Sequence, residues 1–219
     1  MKVSVVQDIL SANDQLAAQN RKLFDQYGIC VINVMASPGS GKTSLILRTI
    51  DALRSQLRIG VIEGDIASTV DADRVATRSV PVVQINTGGQ CHLDAPMIQR
   101  ALSQLALEDL DLILIENVGN LVCPVGFGLG EDLKIMLASV PEGDDKPYKY
   151  PGIFVAVDAV LINKIDLLPY LRFDVGAFRT LVRGMNPDVS VFEVSCETGE
   201  GIEEWAAWVM EKTAKRRQR

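Results

Sequence analysis

The residues Ala36-Ser37-Pro38-Gly39-Ser40-Gly41-Lys42-Thr43 carry the most legible chemistry in this chain. They follow the apolar run Cys30-Val31-Ile32-Asn33-Val34-Met35 and precede Leu45, Ile46 and Leu47. A strand, a tight glycine turn and a helix start, in that order, make a phosphate-binding loop. Its backbone N–H groups converge on phosphate oxygens, and the helix N-terminus adds positive partial charge. Pro38, Gly39, Ser40, Gly41 and Ser44 are the expected nucleotide contacts of this loop. Lys42 would reach the outer phosphates, and the Thr43 hydroxyl would hold Mg²⁺. Ala36 stands where such loops usually begin with glycine, which is tolerable if its φ is negative; Gly39 and Gly41 must permit close approach.

A second pattern, Asn163-Lys164-Ile165-Asp166, follows the apolar run Ala159-Val160-Leu161-Ile162. This N-K-x-D arrangement suits guanine. The Asp166 carboxylate can accept from the N1–H and the exocyclic amine, whereas adenine offers no such donor pair and would leave a buried carboxylate unpaired. Asn163 would brace the pocket, with the Lys164 stem against the base. The tetrapeptide alone is also a common turn at a strand end; its place downstream of a phosphate loop makes guanine the expected base. Ser195-Cys196-Glu197 ends the last strand-like run. It either brings backbone N–H groups of Ser195 and Cys196 to guanine O6 or forms a plain strand-to-helix turn.

Glu116-Asn117-Val118-Gly119 follows the run Leu112-Ile113-Leu114-Ile115. A carboxylate three residues before a glycine at a strand end resembles a γ-phosphate sensor of the D-x-x-G type, with Glu in place of Asp. The Gly119 N–H would bond the γ-phosphate, and Glu116 would hold Mg²⁺ through water or orient the attacking water. Asp65 and Asp71 both qualify as further Mg²⁺ carboxylates, and both also fit helix caps. Lys42, Asp71, Glu116 and Gly119 are therefore the candidate catalytic set. Cys91-His92 and Cys123 offer thiolate and imidazole, ligands that suit Zn²⁺ or Ni²⁺. Two small apolar cysteines beside a capping histidine fit the same spacing.

The elements that must position these groups alternate along the chain. Strand-like runs cover 30–35, 59–63, 80–86, 112–116, 135–139, 159–163 and 189–194, and helix-like stretches cover 43–56, 71–78, 93–105, 174–185 and 202–214. Continuous apolar runs suit strands buried on both faces, and the alternation implies a parallel sheet between helices. The expected fold class is α/β: a three-layer P-loop NTPase with a mostly parallel sheet and an N-terminal helical extension. Residues 1–28 would form one or two amphipathic helices packed on a GTPase domain spanning 29–219. The stretch 124–130 is a glycine-rich loop, and 141–152 a long polar loop. Ligands would bind beyond the C-terminal strand ends.

The 219 residues can bury one sizeable core. A formal charge of −6 argues against a general nucleic-acid binder. The basic C-terminal tail fits a solvated helix end. No apolar stretch approaches the roughly 20 residues of a membrane span. Four unevenly spaced cysteines point to a reducing cytoplasm rather than a disulfide framework, and Cys30 to a buried strand position.

Taken together, Ser37–Thr43, Ile62–Ala67, Asn86–Asp94, Glu116–Pro124, Glu142–Pro147 and Asn163–Leu167 closely resemble the hydrogenase-maturation GTPases of the HypB family. The urease-accessory GTPases are the nearest alternative; the Cys-His dipeptide together with E-N-V-G-N-L-V-C-P favours the hydrogenase family. The resemblance implies slow, Mg²⁺-dependent GTP hydrolysis and a homodimer when GTP is bound. It implies a zinc or nickel site at Cys91, His92 and Cys123. The implied partners are a small zinc-containing nickel carrier and the hydrogenase large subunit. Other function classes that a phosphate loop allows are a small-molecule kinase and a non-catalytic metal-binding adaptor.

Overall fold

Among the described residues, seven strands form one sheet in the order β3-β2-β4-β1-β5-β6-β7, every neighbouring pair parallel. The structure is a computed structural model that describes residues 5–66 and 68–217. In chain order the elements are α1 (Val5–Tyr27), β1 (Cys30–Ala36), α2 (Lys42–Leu53), β2 (Ile59–Asp65), α3 (Val70–Ala76), β3 (Val82–Asn86), α4 (Ala95–Leu102), β4 (Leu112–Glu116), β5 (Leu133–Ser139), α5 (Lys146–Lys149), α6 (Pro151–Ala156), β6 (Ala159–Asn163), α7 (Val175–Met185), β7 (Ser190–Val194) and α8 (Ile202–Arg217).

The central strands are apolar throughout because helices cover both faces. Cys30, Ile32, Val34 and Ala36 of β1 point into a core shared with α2 and α8, where Trp205 donates to Thr49 Oγ1 at 2.9 Å. The alternate residues Val31 and Met35 face the other layer, in cores that include Phe24 of α1 and Phe154 of α6. Period-two alternation on β1 thus serves two apolar faces at once.

The element boundaries shift where local chemistry overrides periodicity. β3 begins at Val82, after Pro81, which has no N–H for the ladder. α4 begins at Ala95 because the Asp94 carboxylate caps the Met97 N–H at 2.9 Å, with Pro96 in the first turn. Val5–Tyr27 form one helix, α1, and residues 1–4 lie outside the described residues. The stretch expected as a long polar loop instead holds a 3-10 turn at Val140–Glu142, closed by a Ser139/Glu142 capping box, then α5 and α6.

The basic tail is also more than a solvated helix end. Arg216 pairs with Asp132 at 2.9 Å and with Asp25, Arg21 reaches the same Asp132 at 2.7 Å, and Arg217 pairs with Asp111. α8 ends across the N-terminal edge of the sheet, so its cations close ion pairs with α1 and with residues bordering β4 and β5. Burial alone would raise the Asp111 carboxyl, but hydrogen bonds from the Arg58 side chain and backbone, then Arg217, hold it down to about 2 from 3.8. A depressed carboxyl contributes stability that is present above pH 4 and lost as pH falls through about 2. That shift is worth about 2 kcal/mol. Asp111→Asn should lower the unfolding free energy at pH 7 by about this amount and flatten its decline below pH 4. Chemical denaturation across that range checks it, and an unchanged acid limb would refute it.

Candidate functional site

β1 ends at Ala36, and the chain turns back into α2 through Gly39 at φ 76° and Gly41 at φ 101°. Left-handed backbone favours glycine, and at Gly41 a Cβ would also collide with the Asn163 amide. Ala36 is an ordinary strand residue, so its methyl costs nothing there. A Cβ on Gly119 would fall 2.8 Å from Pro38 Cγ and 3.0 Å from Pro38 N. The segment after β4 therefore lies directly on the phosphate loop. Between them opens a cavity of about 270 Å³, bordered by Pro38, Gly39, Lys42, Glu63, Asp65, Asp71, Glu116 and Gly119.

Strand register explains the acidic side of this cavity. Glu63 on β2 pairs in register with Glu116 on β4, and both are buried. Asp71, in the first turn of α3, brings a third carboxylate, and one oxygen from each lies within 4.8 Å of the others. Thr43 Oγ1 donates to Glu116 Oε1 at 3.0 Å, and Lys42 Nζ stands 3.9 Å from the same oxygen. Burial raises Glu63, and the neighbouring Glu116 raises it further; burial raises Glu116 too, while Lys42 pulls it back. Burial and neighbouring negative charge both disfavour ionising this pair in the absence of a cation. Glu63 Oε2 and Glu116 Oε2 have no hydrogen-bond partner. Buried acceptors without donors, beside a hydroxyl and a phosphate loop, fit a hydrated divalent cation. Asp65 borders the same cavity but accepts from the Ser68 N–H at 2.6 Å and stands outside the three-carboxylate group; Asp71 pairs with Arg74 at 3.2 Å.

Beyond Gly41 lies a second cavity of about 220 Å³, lined by Ser44, Asn163, Lys164, Asp166, Cys196 and Glu197 among others. β5, β6 and β7 end level, with Ser139 in register with Asn163 and Asn163 with Val194, which brings three loops together here. Asn163 Nδ2 donates to Ser40 O at 2.8 Å, and its Oδ1 accepts from Cys196 N–H at 3.3 Å. Ser195 Oγ donates to Asp166 Oδ1 at 2.5 Å, fixing the carboxylate. Lys164, in left-handed backbone, donates to Gly39 O at 2.7 Å.

Past β3, Cys91 Sγ lies 3.1 Å from Cys123 Sγ and 3.8 Å from His92 Nδ1. These three ligand atoms lie within 4.8 Å of one another, and Cys91 is exposed. Zinc–sulfur bonds of about 2.3 Å at a tetrahedral angle separate two thiolates by about 3.8 Å, so a small outward movement of the sulfurs admits the ion. Partial burial lowers His92, which favours the neutral imidazole, and its ring lies tilted by 33° against Phe127 with centroids 4.0 Å apart. Three protein ligands leave a tetrahedral ion one position for a fourth.

Several residues that shape these sites escaped sequence reasoning. Glu142 Oε2 accepts from Ser40 Oγ at 2.7 Å and from Ser139 Oγ at 2.9 Å. Burial pushes it up, but the serine hydroxyls and Lys146 outweigh that and hold it ionised. The S-x-x-E capping pattern was the available signal. Arg48 on α2 donates to the carbonyls of Cys196 at 2.7 Å and Glu197 at 2.6 Å, tying down the base loop. Nothing in the sequence marks that contact, nor the pairing of Glu63 with Glu116.

The family described as CobW/HypB/UreG, nucleotide-binding domain, matches residues 30–193. The hydrogenase maturation factor HypB of Azotobacter vinelandii is 52% identical over 207 residues, which cover 94% of this chain and 68% of that protein. The crystal structure of HypB from Helicobacter pylori in complex with nickel superposes with a TM-score of 0.89 at 39% identity, covering 93% of this chain and 96% of that one. HypB from Archaeoglobus fulgidus superposes with a TM-score of 0.87 at 40% identity, covering 93% and 99%.

The cysteines differ in environment: Cys30 is buried, Cys91 is exposed though its hydrogen bond with Cys123 raises its thiol, and Cys123 and Cys196 lie between. Burial pushes Cys30 up to about 12 and Cys196 up to about 11. Alkylation needs an accessible thiolate. Iodoacetamide at pH 7.5 should therefore modify exposed Cys91 at least about tenfold faster than Cys30 or Cys196. Peptide mass spectrometry reads the rates, and comparable labelling of Cys30 in the folded protein would contradict the burial described.

Proposed function

The chain belongs to the CobW/HypB/UreG nucleotide-binding family, and within it to the HypB hydrogenase maturation factors, and from that premise we propose that its GTP state governs how tightly it holds nickel destined for a hydrogenase. It is a GTPase, and its activity serves nickel insertion during hydrogenase maturation. One observation carries the link between the two ligands. Glu116 and Gly119 border the phosphate cavity, Cys123 belongs to the soft-ligand group, and all three sit on one short segment. A γ-phosphate that draws in the Gly119 N–H moves the peptide that bears Cys123. Such a ligand shifts the metal site only by its differential affinity for the two arrangements.

On this reading the amides of residues 38–43 wrap the phosphates and Lys42 balances their charge. Thr43 and Glu116, with Asp65 or Asp71, hold Mg²⁺, which when bound offsets the negative charge that builds on the phosphate oxygens. Asp166 accepts from guanine, held in aim by Ser195. Asn163 keeps the base loop in step with the phosphate loop. Cys91, His92 and Cys123 hold nickel or zinc, and a partner supplies or takes the ion through the open position. Exposed Cys91 and the exposed apolar Val122 beside Cys123 support a transfer face that a second copy covers in the GTP-bound dimer. The small zinc-containing carrier and the hydrogenase large subunit would be donor and recipient. Among the described residues no helix is long and apolar enough to cross a membrane. The cysteines stand free, which supports work in the reducing cytoplasm.

Two measurements test the reading. Asp166→Asn should raise the GTP dissociation constant by about 10²–10⁴-fold and improve binding of xanthosine triphosphate, whose C2 carbonyl accepts from an amide. Undiminished GTP binding would remove Asp166 from the base site. In calorimetry, nickel affinity should differ between the GDP form and a GTP-analogue form, and Cys123→Ala should abolish metal uptake while GTP still binds. Equal affinities in the two nucleotide states would end the coupling.

A further inference from the structure

Between the phosphate cavity and the soft ligands lie buried amide side chains that neither ligand set uses. Asn117 is fully buried at the end of β4. Its Oδ1 accepts from the Leu93 N–H at 3.1 Å and the Val118 N–H at 3.0 Å, while its Nδ2 donates to Asn33 Oδ1 at 3.1 Å. Asn33 in turn donates to Glu131 at 3.2 Å, so the amide is fixed from the centre of β1. Asn120 donates to the Cys91 carbonyl at 3.2 Å and accepts from the Val122 N–H at 2.9 Å. The peptide groups flanking His92 are thus both tied to the segment between Glu116 and Cys123.

Leu93 makes a second connection. It is fully buried, and a Cβ on Gly64 would lie 2.7 Å from its side chain. Leu93 therefore seats on β2 between Glu63 and Asp65. The next residues are anchored elsewhere. The Ala95 N–H donates to Asn13 Oδ1 at 2.8 Å, and the Ala95 carbonyl accepts from Asn20 Nδ2 at 3.0 Å. The same two amides of α1 also hold the carbonyls of Gly128 and Leu129. α1 is thus a frame that keeps Ala95 in place, and residues 91–93 must take up any displacement of Asn117. A buried donor or acceptor stripped of its partner is costly, so these bonds transmit position rather than break.

We infer that Asn117 is a positioning residue of the soft-metal site: its amide sets the Cys91–His92 ligand pair against Cys123, with Asn120 as a second tie. The inference rests on the reading of these three residues as metal ligands. Ligand-orienting partners outside the coordination sphere typically change metal affinity by about 10–100-fold.

The test uses the full chain without nucleotide, with zinc as the probe and a chromophoric chelator as competitor. Asn117→Ala should weaken zinc binding at least about tenfold, and Asn120→Ala, which lies outside the core, about threefold. Hydrogen exchange at the Leu93 amide should accelerate in Asn117→Ala while the Ala95 amide stays protected by α1. With cobalt(II) in place of zinc, the tetrahedral ligand-field bands should lose intensity in Asn117→Ala. Melting curves and protected Cys30 confirm that the variants fold, and Asn120→Ala carries the test if Asn117→Ala does not. Wild-type zinc affinity and an unchanged cobalt spectrum in folded variants would overturn the inference alone. A wild-type protein that takes up no zinc would overturn the metal reading itself, and the inference with it.

Discussion

Glu116 is a carboxylate buried at the end of a central strand, with a second carboxylate, Glu63, beside it on the next strand. Burying such groups is costly unless each finds compensation. Lys42 at 3.9 Å and the Thr43 hydroxyl at 3.0 Å supply part of it. On the proposed reading, a hydrated cation would complete the oxygens of both residues that lack a hydrogen-bond partner. The phosphate loop, the β2–β4 register and the first turn of α3 all converge on this one electrostatic problem.

The all-parallel sheet makes the convergence possible. Every strand leaves the sheet at the same edge, so loops from distant parts of the chain meet there. Asn163 shows the benefit. It ends β6, yet it touches the phosphate loop through Ser40 and the base loop through Cys196. Glu142 grips Ser40 from the β5 side, and Arg48 grips the base loop from α2. The two cavities are thus bordered by one hydrogen-bonded assembly.

The soft-ligand site hangs from the same edge, off the end of β3. Cys91 and His92 belong to the loop between β3 and α4, whose first half is closed by hydrogen bonds between Thr87 and Gln90. Asn117 and Asn120 bond its backbone on one side, and the asparagines of α1 bond Ala95 on the other.

The sequence by itself determined what is local. Residues 36–43 declare a phosphate loop because backbone amides, glycine freedom and the helix start are consecutive in the chain. The N-K-x-D tetrapeptide and the apolar strands are contiguous in the same way, and Cys91, His92 and Cys123 were legible as ligand types. What only the tertiary structure decided is which side chains from separate strands face each other. Glu63 joins Glu116 through strand register, Arg216 reaches Asp132 across the sheet's far edge, and Asn117 finds Leu93 through the packing of β4 beside the β3–α4 loop. Glu142 became visible once residues 140–156 folded into a capped turn and two helices instead of a loop. Such contacts join groups far apart along the chain, and no spacing rule encodes them. They are set by the sheet's strand order and by the need of every buried polar atom to find a partner.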